Sequence, residues 1–306
     1  MNRILPWISV LLMTLVPTVG TWAAESLNHR GTLHLSPGAN AYYLNDNVDG
    51  SGVLVGQIGF GGRWIDLKGN ELKSLATNTE PPLLPSGGAK SLVRLGDYYY
   101  ITDDNAGGIA RFDATGENAW DSASWVAPVN PEGIGPESIC TDGKWLFTNN
   151  DVNQGHIHAF SVTNRAASFT LAEQWEAVLP DGHRVRGLSF DAGSGCLYMH
   201  NGGDGTETGG GTTLYAIDAS DGTVHKMGTH AGEPRVYQVL RRGKELLVFG
   251  TSGKRSVYHL TSDTRVGSLK KRFDLKLNEL YGAAIIGDCL FVTSNGGNLS
   301  AFRLAR

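Results

Sequence analysis

Short apolar runs cut by Gly, Asn and Asp recur along the whole chain. Tyr98–Thr102, Trp145–Thr148, Leu197–His200, Leu246–Phe249 and Leu290–Thr293 each follow a glycine-bearing turn. Each gives way, after a polar loop, to a second run: Ile109–Asp113, His156–Val162, Thr213–Asp218, Ser256–Thr261 and Leu299–Leu304. A fainter copy reads Gly50, Val53–Val55 and Arg63–Leu67. Brief runs rich in β-branched and aromatic residues, bounded by turn residues, predict strands joined by hairpins.

The turn glycines Gly50, Gly96, Gly143, Gly195, Gly243 and Gly287 stand 46, 47, 52, 48 and 44 residues apart. A period of roughly 40–50 residues, with several strands in each unit, is the signature of propeller blades. The expected fold is all-β, a six-bladed β-propeller. A small sheet cannot bury both faces alone, so neighbouring blades must stack to make the core. The last unit stops at Leu304, after its third strand, while an additional apolar strand, Gly31–Leu35, precedes the first unit. This N-terminal strand is expected to complete the last blade and close the ring, removing edges that invite aggregation.

Composition agrees: 41 of 306 residues are glycine, well above the usual share of about 7%. Residues 1–24 differ from the rest. Arg3 is their single charge, an apolar run spans Ile8–Val16, and Thr21-Trp22-Ala23-Ala24 forms a small-residue exit. This reads as a secretory signal peptide cleaved after Ala23 or Ala24, leaving 25–306 as a single propeller domain exported to the periplasm or the extracellular medium. No stretch beyond it could span a membrane. Without Arg3 the balance is 25 basic and 30 acidic residues, a net charge of −5 with no basic block, which argues against nucleic acid as a partner. Cys140, Cys196 and Cys289 make an odd count. Buried free thiols are expected, with a Cys140–Cys196 bridge between adjacent blades as the alternative.

Arg186-Gly-Leu-Ser-Phe-Asp-Ala-Gly-Ser-Gly-Cys-Leu-Tyr-Met-His-Asn-Gly-Gly203 and Gly135-Pro-Glu-Ser-Ile-Cys-Thr-Asp-Gly-Lys-Trp-Leu-Phe-Thr-Asn149 resemble six-bladed propellers of the NHL, TolB-like and SMP-30/gluconolactonase kind. The likeness runs through all six units and implies fold more than function. In the lactonase branch a divalent metal sits on the channel axis, held by Glu, Asn and Asp. Glu137 matches the Glu position, but the other blades do not supply the Asn and Asp partners.

Inner strands line the channel, and side chains alternate along each. Six residues before each turn glycine lie Leu44, Lys90, Glu137, Tyr237 and Tyr281, with Arg186 as the match in blade four. Two residues earlier lie Tyr42, Arg235 and Glu279, with Arg184 in blade four. Guanidinium groups bind planar anions through paired donors, and tyrosine adds a flat wall with a polar tip. The expected ligand-binding set is therefore Lys90, Glu137, Arg184, Arg186, Arg235, Tyr237, Glu279 and Tyr281, taking a small anionic ligand such as an acidic sugar. A ring of mutually compensating ion pairs in a watery channel is the alternative.

The loops after the second strands carry Asp103, Asn150, Asp151 and Asn201. Oxygen-rich loops suit calcium, but Asn and Asp are also ordinary hairpin residues, and turn chemistry is the expected reading. No other cofactor is predicted. His156 and His158 fall on one face of a strand, as paired ligands or as half-buried strand residues. No nucleophile elbow, metalloprotease motif or phosphate loop is present. The expected role is a monomeric binding module for a small ligand or a protein partner on its loop face. Should the chain be an enzyme, the fold suggests a lyase or lactone hydrolase. An arginine would then neutralise a substrate carboxylate, and Tyr237, Tyr281 or His183 would move the proton. A purely structural envelope role is the third option.

Overall fold

The computed structural model describes residues 28–35, 40–46, 50–58, 60–76, 84, 88–104, 106–113, 123–126, 136–150, 155–166, 168–180, 184–201, 213–230 and 235–304. The signal-peptide expectation falls on residues outside this set.

Strand β1 (Asn28–His34) precedes the first blade. Blade one is β2 (Ala41–Asp46), β3 (Gly52–Gln57), β4 (Gly61–Asp66) and β5 (Glu71–Ala76). Blade two is β6 (Ala89–Leu95), β7 (Tyr98–Asp103), β8 (Gly108–Asp113) and β9 (Ala123–Val126). Blade three is β10 (Pro136–Thr141), β11 (Leu146–Asn150), β12 (His156–Arg165) and β13 (Ser168–Val178). Blade four is β14 (Ser189–Asp191), β15 (Cys196–His200), β16 (Thr213–Asp218) and β17 (Val224–Thr229). Blade five is β18 (Val236–Arg242), β19 (Glu245–Gly250), β20 (Lys254–Ser262) and β21 (Arg265–Asp274). Blade six is β22 (Leu280–Ile286), β23 (Cys289–Ser294) and β24 (Asn298–Arg303), with β1 as its outer strand.

The ring thus closes as the repeat phase requires. β1 pairs antiparallel with β24, His34 opposite Asn298 and Asn28 opposite Arg303. The six turn glycines all adopt left-handed φ, between 57° and 88°. That region is open to glycine at little cost, which explains their recurrence at the same hairpin.

The core is six slabs, one between each pair of blades. Alternation assigns each strand's two faces to two slabs. On β23, Cys289 and Phe291 pack toward blade one, while Leu290 and Val292 pack toward blade five. On β15, Leu197 and Met199 face blade three and Tyr198 faces blade five. Middle strands are therefore buried on both sides, as in β3 and β23, whereas outer strands such as β21 are largely exposed. All three cysteines are free thiols: Cys140 joins the slab between blades three and four, and Cys196 borders the one between four and five.

A belt of hydrogen bonds also links each blade to the next around the channel. Asn45 Nδ2 donates to the carbonyls of Leu92 (2.9 Å) and Ile139 (3.0 Å), tying blade one to two and three. Ser91 Oγ accepts from Ile139 N at 3.1 Å, and Ser138 Oγ accepts from Leu188 N at 3.1 Å. Ser189 Oγ donates to the Val239 carbonyl, and Gln238 Oε1 accepts from Ala283 N at 3.0 Å. Thr293 Oγ1 completes the circuit by donating to the Tyr42 carbonyl at 2.7 Å. Each bond satisfies a polar group that burial would otherwise strand, at a net worth of about 1 kcal/mol.

Candidate functional site

The inner strands do not start as regular ladders. Their register shifts between Ala41 and Leu44, Ala89 and Leu92, Pro136 and Ile139, Val236 and Gln238, and Leu280 and Gly282. Such bulges re-aim side chains. Inside these five irregularities lie Tyr42 and Tyr43, Lys90 and Ser91, Glu137 and Ser138, Tyr237, and Tyr281. Blade four supplies Arg184 and Arg186 from the extended segment ahead of β14. Local backbone irregularity in five blades thus points one set of groups at a common centre.

Glu137 is that centre. It is fully buried, and three cations surround it. Arg186 Nη1 lies 3.0 Å from its Oε1, Lys90 Nζ lies 3.3 Å from the same oxygen, and Arg184 Nη2 lies 3.7 Å from Oε2. Lys90 also meets Asp104 at 2.5 Å. Burial opposes the charge on Arg186, but Glu137, Tyr43 and Tyr237 outweigh it and hold the guanidinium pKa above its usual value. A carboxylate buried at this depth is tolerable only with such partners.

A cluster of tyrosines completes the channel. Tyr42 stacks on Tyr281 at 4.8 Å, and Tyr237 meets Tyr281 edge-on at 5.0 Å. Tyr43 and Tyr237 are 6.2 Å apart. The Arg186 guanidinium lies 4.9 Å from the Tyr237 ring centre, and Lys90 Nζ lies 5.4 Å from that of Tyr42. Burial raises the phenol pKa of Tyr43, Tyr237 and Tyr281, with Glu137 adding to the first two and Glu279 to the third. These phenols stay protonated at neutral pH, so Tyr237 and Tyr281 offer O–H donors rather than a ready base.

Exposure divides the set into a floor and a rim. Lys90, Glu137, Arg186, Tyr43, Tyr237 and Tyr281 are buried, whereas Tyr42, Arg184 and Arg235 are half-buried and Glu279 is exposed. Glu279 accepts a 2.6 Å bond from the Tyr281 hydroxyl and a 3.2 Å bond from Asn295 Nδ2. Its φ of 44° is left-handed, a conformation that costs a non-glycine residue about 1 kcal/mol or more and clusters at functional sites.

One ring position differs from expectation. Leu44 is not in the channel; it packs in the slab between blades one and six. The turn after β2 is longer than its counterparts, since Asp46 pairs with Val53. Counting six back from Gly50 therefore falls two residues short, and Tyr42 takes the channel place. Asp104 and Tyr43 are site residues that the counting rule missed. Asp104 belongs to the loop after β7, and Tyr43 shares the widened bulge with Tyr42.

Two of the oxygen-rich loop residues spend their side chains on backbone amides of their own blades. Asp103 Oδ1 accepts from Ala106 N at 3.2 Å, and Asn201 Oδ1 accepts from Thr213 N at 2.8 Å. These two residues sit in different blades. His183, Asp151 and the side chain of Asn150 lie outside the described residues.

Fold and channel together define a class, the six-bladed β-propeller with a charged, tyrosine-walled axis, and solved structures agree on the fold. Virginiamycin B lyase from Staphylococcus aureus matches 92% of this chain and 100% of its own at 13% identity, with a TM-score of 0.56. A catalytically inactive virginiamycin B lyase from the same organism, in complex with quinupristin, matches with the same coverage at 14% identity and a TM-score of 0.60. A chain of the Mitotic Checkpoint Complex matches 86% of this chain and 77% of its own at 15% identity and a TM-score of 0.57. At such identities the likeness is one of architecture, which hosts many unrelated functions. No family model matches the chain, and no curated protein matches its sequence. Among the described residues no helix is long and apolar enough to cross a membrane.

Proposed function

We propose that this chain is an exported binding module that takes a small anionic ligand, of the carboxylated-sugar class, at the mouth of its propeller channel. The observation that carries the reading is the charge arrangement around Glu137. Lys90, Arg184 and Arg186 converge on that one buried carboxylate. Counting Arg235 at the rim, four cations face Glu137, Asp104 and Glu279, a net of +1 on a chain whose formal charge is −4. Arg184 and Arg235 remain half-exposed, so their planar donors can serve a carboxylate from solvent. Tyr42 adds a face on which a sugar ring can lie. The protonated phenols add donors and no base, which supports binding rather than proton abstraction.

The test is calorimetric titration of the mature chain with glucuronate, galacturonate and their neutral parent sugars. The reading requires an acid to bind and its neutral counterpart to fail. Arg184→Ala and Arg235→Ala should each weaken the acid by tenfold or more, since a charge-assisted pair is worth about 1.5–3 kcal/mol. Failure of every anion to bind would sink the small-ligand reading and direct the search to a protein partner.

A further inference from the structure

Away from the channel, the outer hairpin of blade three carries a second concentration of chemistry. His156 and His158 lie two apart on β12 and so project from one face. Their rings stack at 6.3 Å with 24° between planes, and Phe160 continues the ladder at 5.8 Å. Across the antiparallel pair, Glu176 on β13 sits directly opposite His158. Its Oε1 is 2.5 Å from His156 Nδ1. One nitrogen from each imidazole and one oxygen of Glu176 all lie within 4.8 Å of one another.

We propose that His156, His158 and Glu176 form a site for a divalent transition cation, with zinc the best fit. Two imidazoles and one carboxylate are a borderline donor set, suited to zinc, nickel or copper rather than to calcium or magnesium, which require oxygen ligands. Bonds of about 2.0–2.2 Å in a tetrahedron set ligand atoms about 3.3–3.6 Å apart. The observed spacing lies within a small side-chain adjustment of that figure. Glu173 strengthens the assignment: its Oε2 is 3.1 Å from His158 Nδ1. A carboxylate accepting from Nδ1–H holds the tautomer whose lone pair is on Nε2 and makes that nitrogen a better ligand. His158 is buried, while His156 is half-buried and Glu176 exposed, so the cation has an open approach. Binding would displace to solvent any proton carried by the ligand atoms, and water would hold the fourth position. Ordinary His–Glu ion pairs on a strand surface are the competing account, and they need no cation.

The experiment is zinc titration of the chelator-treated mature chain against a chromophoric competitor, with cobalt(II) absorption reporting coordination number. The site predicts one zinc per chain, an intense four-coordinate cobalt spectrum, and a melting midpoint about 5 °C higher at a hundredfold excess over Kd. His156→Gln and Glu176→Gln should each lower zinc affinity tenfold or more while leaving the metal-free midpoint close to wild type. Glu173→Gln should cost about tenfold through the orientation of His158. No zinc uptake by the wild type would overturn the proposal, and so would unchanged affinity in both His156→Gln and Glu176→Gln. Neither result bears on the channel, whose ligand is assayed separately.

Discussion

Acid should unfold this propeller earlier than its carboxylates alone would dictate, because two histidines are locked neutral between blades four and five. His200, at the end of β15, is 2% exposed, and among the described residues neither of its ring nitrogens has a hydrogen-bond partner. His230 is fully buried, meets Tyr258 Oη through Nδ1 at 2.5 Å, and lies 5.7 Å from His200. Burial, reinforced by His230, drives the His200 pKa down to about 3. Burial, reinforced by Arg272, drives that of His230 to about 4. The unfolded chain binds both protons near pH 6.5, whereas the folded chain refuses them until much lower. The contribution to stability is therefore complete above pH 6.5 and is lost as pH falls toward 4 and 3. At pH 5 each group has cost about 2 kcal/mol, and the pair about 4 kcal/mol. That is a large share of the 5–15 kcal/mol that holds a typical domain. Urea unfolding at pH 8 and pH 5 measures it, in the wild type and in a His200→Leu/His230→Leu variant. The variant should lose about 4 kcal/mol less than the wild type over this interval. Equal losses in the two proteins would refute the argument, since the carboxylates are common to both.

Three further outcomes follow from the same geometry. Deleting residues 25–36 removes β1 and exposes the edge of β24, so cooperative unfolding at a much lower temperature is expected; an unchanged melting curve would contradict ring closure. Glu137→Gln leaves Lys90, Arg184 and Arg186 without their shared buried carboxylate and should cost about 3–5 kcal/mol in denaturant unfolding; a cost below about 1 kcal/mol would mean that water already screens the cluster. Gly187→Ala places a Cβ 1.9 Å from the Tyr237 carbonyl oxygen. Backbone cannot yield that far cheaply, so a loss of about 1–3 kcal/mol and a shifted Tyr237 are expected, and wild-type stability would show that the blade contact is looser than described.

The architecture was legible because propeller blades announce themselves at hairpins. Six left-handed glycines recur at near-equal spacing, and the phase of the repeat foretold that β1 would finish blade six. The channel was legible wherever the hairpin kept its usual length, which is why Lys90, Glu137, Tyr237 and Tyr281 fell on the predicted ring. It failed at Leu44, where a longer turn displaced the count. Partnerships between residues distant along the chain left no local trace. Nothing near Lys90 marks Asp104 rather than another acid as its second partner, and nothing near His156 marks Glu176, twenty residues away on another strand, as the oxygen beside it. The belt residues Asn45, Ser91, Ser138 and Gln238 are likewise unremarkable polar positions until neighbouring blades bring carbonyl and amide groups to them.

The central claim is that the cationic, tyrosine-walled mouth is a ligand site. Its most direct test is the thermal unfolding of residues 25–306 with a panel of acidic sugars and their neutral analogues. At a hundred times its dissociation constant a true ligand adds about 2.7 kcal/mol, which raises the midpoint by about 5 °C at this chain length. The account predicts such a shift with an acid, none with its neutral analogue, and none in an Arg184→Ala/Arg235→Ala variant. A shift that survives in that variant, or no shift with any acid, would contradict it.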